Sequence, residues 1–144
     1  MYLVAIALAL LVACVIIQGL GTLLLIHWLA RVHHIFESPS ILIRVGLLVR
    51  LFVSIVLLHL IQIGLWAAVF WQTGQLPTLE AAVYLSLVTY STIGFGDVVL
   101  QPPWRVLTGI EGLTGILLMG WSTAFAFTVI SRMYEHWRQT HEAR

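Results

Sequence analysis

The chain contains no lysine, a single cysteine and four prolines, and only 9% of its 144 residues are charged. A soluble domain carries about a quarter charged residues. A surface kept wet by charge is therefore excluded, and lipid must cover much of this one. A formal net charge of +1 excludes the clustered basic residues that nucleic-acid phosphates demand. Cys14 stands alone inside an apolar run, so no intrachain disulfide can form. It reads as a small residue facing lipid or a neighbouring helix. No nucleophile–base pair appears, which argues against an enzyme, and nothing calls for a cofactor. His33, His34 and Glu37 come closest to a metal set, and histidines at a membrane–water boundary are usually just solvated.

What the chain has in quantity is apolar length: 60% of its residues are hydrophobic. Residues 2–30 are apolar except for Gln18, Gly19, Gly21, Thr22 and His27, and about 20 residues suffice to cross the hydrocarbon. A signal peptide would need a basic start and a shorter core. No basic residue precedes Arg31, so a retained membrane helix is expected. Residues 31–40, with Arg31, His33, His34, Glu37 and Pro39, read as a loop. A second spanning helix follows over residues 41–71, and Gly74 and Pro77 close it with turn chemistry.

Residues 78–90 predict a helix too short to cross, about 20 Å at 1.5 Å per residue. Thr78 can cap it, and Glu80 suits the positive end of its dipole. After a loop ending in Pro102-Pro103, residues 104–133 give the third span, and 134–144 a polar tail. The chain thus divides into an N-terminal helix and loop (1–40), a unit of two spanning helices with a short helix between them (41–133), and the tail (134–144). The fold class is an all-α membrane protein with three transmembrane helices and a re-entrant segment between the second and third.

Six of the seven arginines (Arg31, Arg44, Arg50, Arg132, Arg138, Arg144) flank one side of these spans. The positive-inside rule makes that side the cytoplasm of a multi-pass cell-membrane protein, with the N-terminus outside and the C-terminus inside. Trp66, Trp71 and Trp104 fit an aromatic belt at the outer interface.

A half-length helix that returns as extended chain puts irregular backbone at membrane depth, where it must line protein or water. Gly94 and Gly96 flank Phe95 in Thr92-Ile93-Gly94-Phe95-Gly96-Asp97. Alternating glycines can take φ > 0 and let successive carbonyls point the same way. Four such strands about one axis give rings of oxygen that replace the hydration shell of a monovalent cation, and Thr92 adds a hydroxyl ring.

Val88-Thr89-Tyr90-Ser91-Thr92-Ile93-Gly94-Phe95-Gly96-Asp97 closely resembles the signature of the potassium channel superfamily, T-x-x-T-x-G-[YF]-G-D. Thr89 matches the first threonine and Thr92 the second, and a Gly-Phe-Gly filter is familiar in the two-pore-domain branch. The resemblance covers about residues 78–132. It implies passive, potassium-selective conduction, with K+ held by the carbonyls of Thr92, Ile93, Gly94 and Phe95 and by the Thr92 hydroxyl. It also implies that Asp97 sits behind the outer mouth, bonded to the pore helix that ends near Ser91. Where the family often has a tryptophan pair, this chain has Tyr84-Leu85, so the brace is altered. One signature per chain implies a homotetramer in the bilayer. Gly115 lies near the place where the inner helix bends in the family, with Gly112 and Gly120 as rival hinges. A non-conducting scaffold subunit and a weakly selective cation channel are the alternatives.

Other polar residues read more plainly. His59 and Gln62, near mid-membrane, predict a packing contact with the short helix or the first helix rather than a sensing role. Ser122, Thr123 and Thr128 face a cavity or bond to their own helix. Glu111 is either a partner for Arg105 or a charge behind the filter. Arg44 and Arg50 are topology anchors, since a voltage sensor repeats arginine every third residue. His27, His33, His34, His136 and His141 cluster toward the inner side, where a pH-sensing role is the alternative to simple solvation.

Overall fold

The computed structural model describes residues 2–32 and 40–142. His33, His34, Glu37 and Pro39 lie outside the described residues, as do the side chains of His136 and His141. Four helices follow one another: α1 (Tyr2–Arg31), α2 (Ile41–Gln72), α3 (Leu79–Tyr90) and α4 (Arg105–Glu142). Among the described residues there is no strand, and α1, α2 and α4 are long and apolar enough to cross a membrane. The protein is an all-α membrane protein. The sequence predicts the third span to end near Met133, yet α4 runs on to Glu142. Nothing after Gly120 stops it: the tail has neither glycine nor proline and is rich in Arg, Glu and Gln, all good helix formers.

Each spanning helix turns one stripe inward and leaves the rest exposed. On α1 that stripe is Ala7, Leu10, Cys14, Gln18, Gly21, Thr22 and Leu29, positions that the three-, four- and seven-residue steps of a helix bring onto one face. The opposite face, including Leu8, Leu20 and Leu24, is exposed. α1 lies against α2 and α4, while α3 is held between α2 and α4. The first helix is therefore part of the bundle core.

Two apolar clusters fill the interior. One joins Leu10, Cys14, Trp66, Phe70, Leu85 and Leu118. The other joins Leu29, Leu51, Ile55, Ala126 and Val129. Between them, on every spanning helix, lies a buried polar residue: Gln18 on α1, His59 and Gln62 on α2, Ser122 on α4. Toward the second cluster, the Arg50 guanidinium sits 4.4 Å above the Trp28 ring and ties α2 to α1.

Trp66 departs from the aromatic-belt reading. It is fully buried, its ring 6.0 Å from Phe70. Trp71 is 45% exposed, and Trp104 meets the Tyr2 ring edge-on at 6.3 Å.

Candidate functional site

The site grows from α3. Thr78 is its N-cap, and the Thr78 hydroxyl accepts the Ala81 amide at 3.1 Å. This satisfies one of the donors that a helix start leaves unpaired. Ala82, Leu85, Val88 and Tyr90 are buried and set the helix into the core.

The C-terminal end is capped by the chain that follows. Ser91 donates its amide to the Leu87 carbonyl (3.1 Å), Thr92 to Thr89 (2.9 Å) and Gly94 to Val88 (3.0 Å). Thr92 has φ +61°, the left-handed residue with which helices commonly end, a place usually taken by glycine. A β-branched residue there is a true outlier. From Thr92 the sign of φ alternates: positive at Thr92, at Gly94 (+57°) and at Gly96 (+79°), with neither Ile93 nor Phe95 positive. In an ordinary strand successive carbonyls point to opposite sides. Reversing φ at every second residue departs from that strand pattern, so the carbonyls here need not alternate.

The same residues are open in the single chain. Ile93 is 57% and Phe95 67% exposed. Beside them a groove of about 750 Å³ runs between residues 92–101 and the Gly109–Ile116 face of α4. Tyr84 donates its hydroxyl to Asp97 Oδ2 at 2.7 Å, joining the middle of α3 to the end of the glycine loop. This bond holds the Asp97 carboxyl below its ordinary value of 3.8, against a smaller upward push from desolvation.

Behind α3 the polar residues of the spanning helices find their places. His59 meets the Tyr90 hydroxyl at 3.1 Å, and Gln62 donates to Gln18 at 2.9 Å, so contacts with both the short helix and α1 are present. Ser122 neither lines an open cavity nor bonds to its own helix. It is buried and paired with Gln18 and His59. Thr123 and Thr128 are exposed and bond to their own helix at Met119 and Ala124. Glu111 is fully buried with no hydrogen-bond partner on either carboxyl oxygen, and Ser86 Oγ and Trp66 Nε1 are likewise unpaired. The partnership with Arg105 is absent for a geometric reason. Six residues turn a helix by about 600°, leaving the two side chains about 120° apart.

Gly115 abuts the Tyr90 carbonyl, and a Cβ on Gly112 would lie 3.3 Å from the Thr89 carbonyl. The small residues of α4 thus admit the end of α3. The sequence pattern missed three things: the left-handed Thr92, and the parts played by Tyr90 and Gln18. A polar residue inside an apolar run was the one available signal for Gln18.

The family model described as ion channel matches residues 45–132, more than half of the chain, from α2 through the glycine loop to most of α4. No curated protein and no solved structure matches.

Proposed function

The chain belongs to the ion-channel family, and from that premise we propose that it is the pore-forming subunit of a potassium-selective channel. Four identical chains surround one axis, and each contributes residues 92–97 as a re-entrant strand of the filter. The alternation of φ at Thr92, Gly94 and Gly96 carries this reading. The carbonyls of Thr92, Ile93, Gly94 and Phe95, with the Thr92 hydroxyl, replace the water around K+. Gly96 sustains the alternation, Thr89 and Ser91 end the pore helix, and Asp97 and Tyr84 brace the outer mouth. The exposure of Ile93 and Phe95 and the groove beside them support an assembly, since irregular backbone at membrane depth must line protein or water rather than lipid. Conduction is passive and needs no cofactor. The arginine distribution supports a cytoplasmic C-terminus and an outer mouth facing away from the cell.

The decisive measurement is 86Rb+ or K+ uptake into liposomes loaded with the purified protein. Uptake that tracks K+ and Rb+ and is not supported by Na+ is expected, from a species that crosslinks to a tetramer. Equal flux of Na+ would favour the weakly selective reading. No flux, unaltered by changes in the glycine loop, would favour the scaffold.

The brace gives a pH prediction. The Tyr84 hydroxyl stabilises the ionised Asp97, lowering its folded value. The stabilisation is therefore present at neutral pH and lost only as pH falls through that value, below 3.8. Tyr84→Phe removes the main cause of the lowering. Acid inhibition of uptake should then begin at a higher pH than in the unsubstituted protein, and superimposable acid profiles would exclude the brace.

A further inference from the structure

We infer that the first helix positions the filter through a closed ring of five buried side chains, making Gln18 and Tyr90 selectivity-determining positioning residues. This rests on the pore reading above. Gln18 Nε2 donates to Ser122 Oγ at 2.8 Å, and Ser122 Oγ lies 3.0 Å from His59 Nε2. His59 Nδ1 lies 3.1 Å from the Tyr90 hydroxyl, which donates to Gln62 Oε1. Gln62 Nε2 returns to Gln18 Oε1 at 2.9 Å. The circuit draws on all four helices, and none of its members is more than 9% exposed.

Proton counting fixes its direction. The Tyr90 hydroxyl has one hydrogen and gives it to Gln62, so it can only accept from His59. His59 therefore carries its hydrogen on Nδ1. A neutral imidazole then leaves Nε2 as an acceptor, and Ser122 fills it with its own hydrogen while accepting from Gln18. Every bond runs the same way: Gln18 to Ser122 to His59 to Tyr90 to Gln62 to Gln18. The other neutral tautomer leaves Nδ1 and the Tyr90 oxygen facing each other without a hydrogen. The doubly protonated ring buries a positive charge at mid-membrane.

The ring acts on the filter because Tyr90 is the last residue of α3, two before Thr92. Its carbonyl is stopped by the Gly115 backbone and its hydroxyl is held by the ring. The first filter residue thus starts from a point clamped at both ends. α1 supplies one link of that clamp, and at Gly21 it comes against Leu58, the neighbour of His59. The polar layer also separates the two apolar clusters of the bundle. It sets the depth at which α1 docks, because sliding the helix by one turn would bury four unpaired groups.

Two readouts test this. In protein labelled with 15N-histidine and reconstituted in bilayers, the imidazole signal lost in His59→Gln should report a neutral, Nδ1-protonated ring at neutral pH. An Nε2-protonated or charged ring would overturn the proposal. In liposomes, Gln18→Leu and Tyr90→Phe should each lower the Rb+/Na+ uptake ratio, on the order of tenfold, since each leaves buried polar groups unpaired. The double variant should be no worse than the poorer single one, because the circuit is already open. Unchanged ratios in both single variants, or effects that multiply in the double, would overturn the proposal alone. Absence of selective uptake by the unsubstituted protein would overturn the pore reading and this proposal together. Should Gln18→Leu not assemble, Tyr90→Phe, which keeps the aromatic packing, carries the uptake test with the same outcomes.

Discussion

Gly94→Ala will abolish selective uptake while leaving the helices folded. Gly94 has φ +57°, and a Cβ built on it meets nothing within 4 Å. The cost is therefore conformational rather than steric. An L-residue pays about 1–2 kcal/mol to occupy the left-handed region. In the proposed fourfold assembly that becomes roughly 4–8 kcal/mol concentrated in one ring of the pore. The strand can escape by returning φ to a negative value, but this breaks the alternation that runs through Thr92 and Gly96. One ring of carbonyls then turns away from the axis. Either way the ordered oxygens are lost, and uptake should fall at least ~100-fold by the usual tenfold per 1.4 kcal/mol. The thermal midpoint should fall by no more than several degrees, the ~1–2 kcal/mol per chain at stake, because the loop lies outside both apolar clusters. Gly19→Ala is the control: it lies within α1, has no positive φ and meets nothing within 4 Å. Wild-type selectivity in Gly94→Ala would remove the geometric basis of the filter reading.

The three spans are legible in the sequence because lipid imposes a length and an apolar composition that few other structures need. The start of α3 is legible for a local reason, since Pro77 and the capping Thr78 act within a few residues. Its end is harder to read. A helix that stops with a left-handed residue normally advertises it with glycine, and here the position is Thr92, preceded by Ser91. Tertiary structure overrides the local preference at a site where strain is expected to cluster. The extension of α4 to Glu142 has the opposite cause, an absence of any stop signal. Polar residues inside the spans announce that they have partners without naming them. Gln62 meets Gln18 at a separation of 44 residues, and Gln18 meets Ser122 at 104. No periodicity within one helix carries information over such distances. Trp66 misleads for a related reason: tryptophan near the end of a span suits an interface, and only the packing of the helices into one cluster buries it.

Gly115→Ala will destabilise the protein more than alanine at any other α4 glycine. Two effects oppose each other. Alanine favours a helix interior over glycine by about 1 kcal/mol, so a glycine in open space should tolerate the change or gain from it. At Gly115, however, the new Cβ falls against the Tyr90 carbonyl oxygen and lies 2.9 Å from the Tyr90 carbonyl carbon. Those atoms are backbone, and they belong to a helix end fixed by the capping bonds at Leu87, Val88 and Thr89. They cannot yield as a flexible side chain would. α4 must instead withdraw from α3, opening the contact on which Tyr90 and the glycine loop stand. Overpacking typically costs about 1–3 kcal/mol, and a backbone-on-backbone clash belongs at or above the top of that range. Gly112→Ala meets only the Thr89 carbonyl, at 3.3 Å, and should be close to neutral. Gly109→Ala and Gly120→Ala meet nothing within 4 Å and should be neutral or stabilising. Thermal unfolding of the four purified variants, followed by tryptophan fluorescence, gives the order directly. It also separates two roles for Gly115. A gating hinge predicts a stable tetramer with altered opening, whereas a packing glycine predicts a lowered midpoint. A Gly115→Ala protein as stable as Gly120→Ala would leave the hinge as the better account.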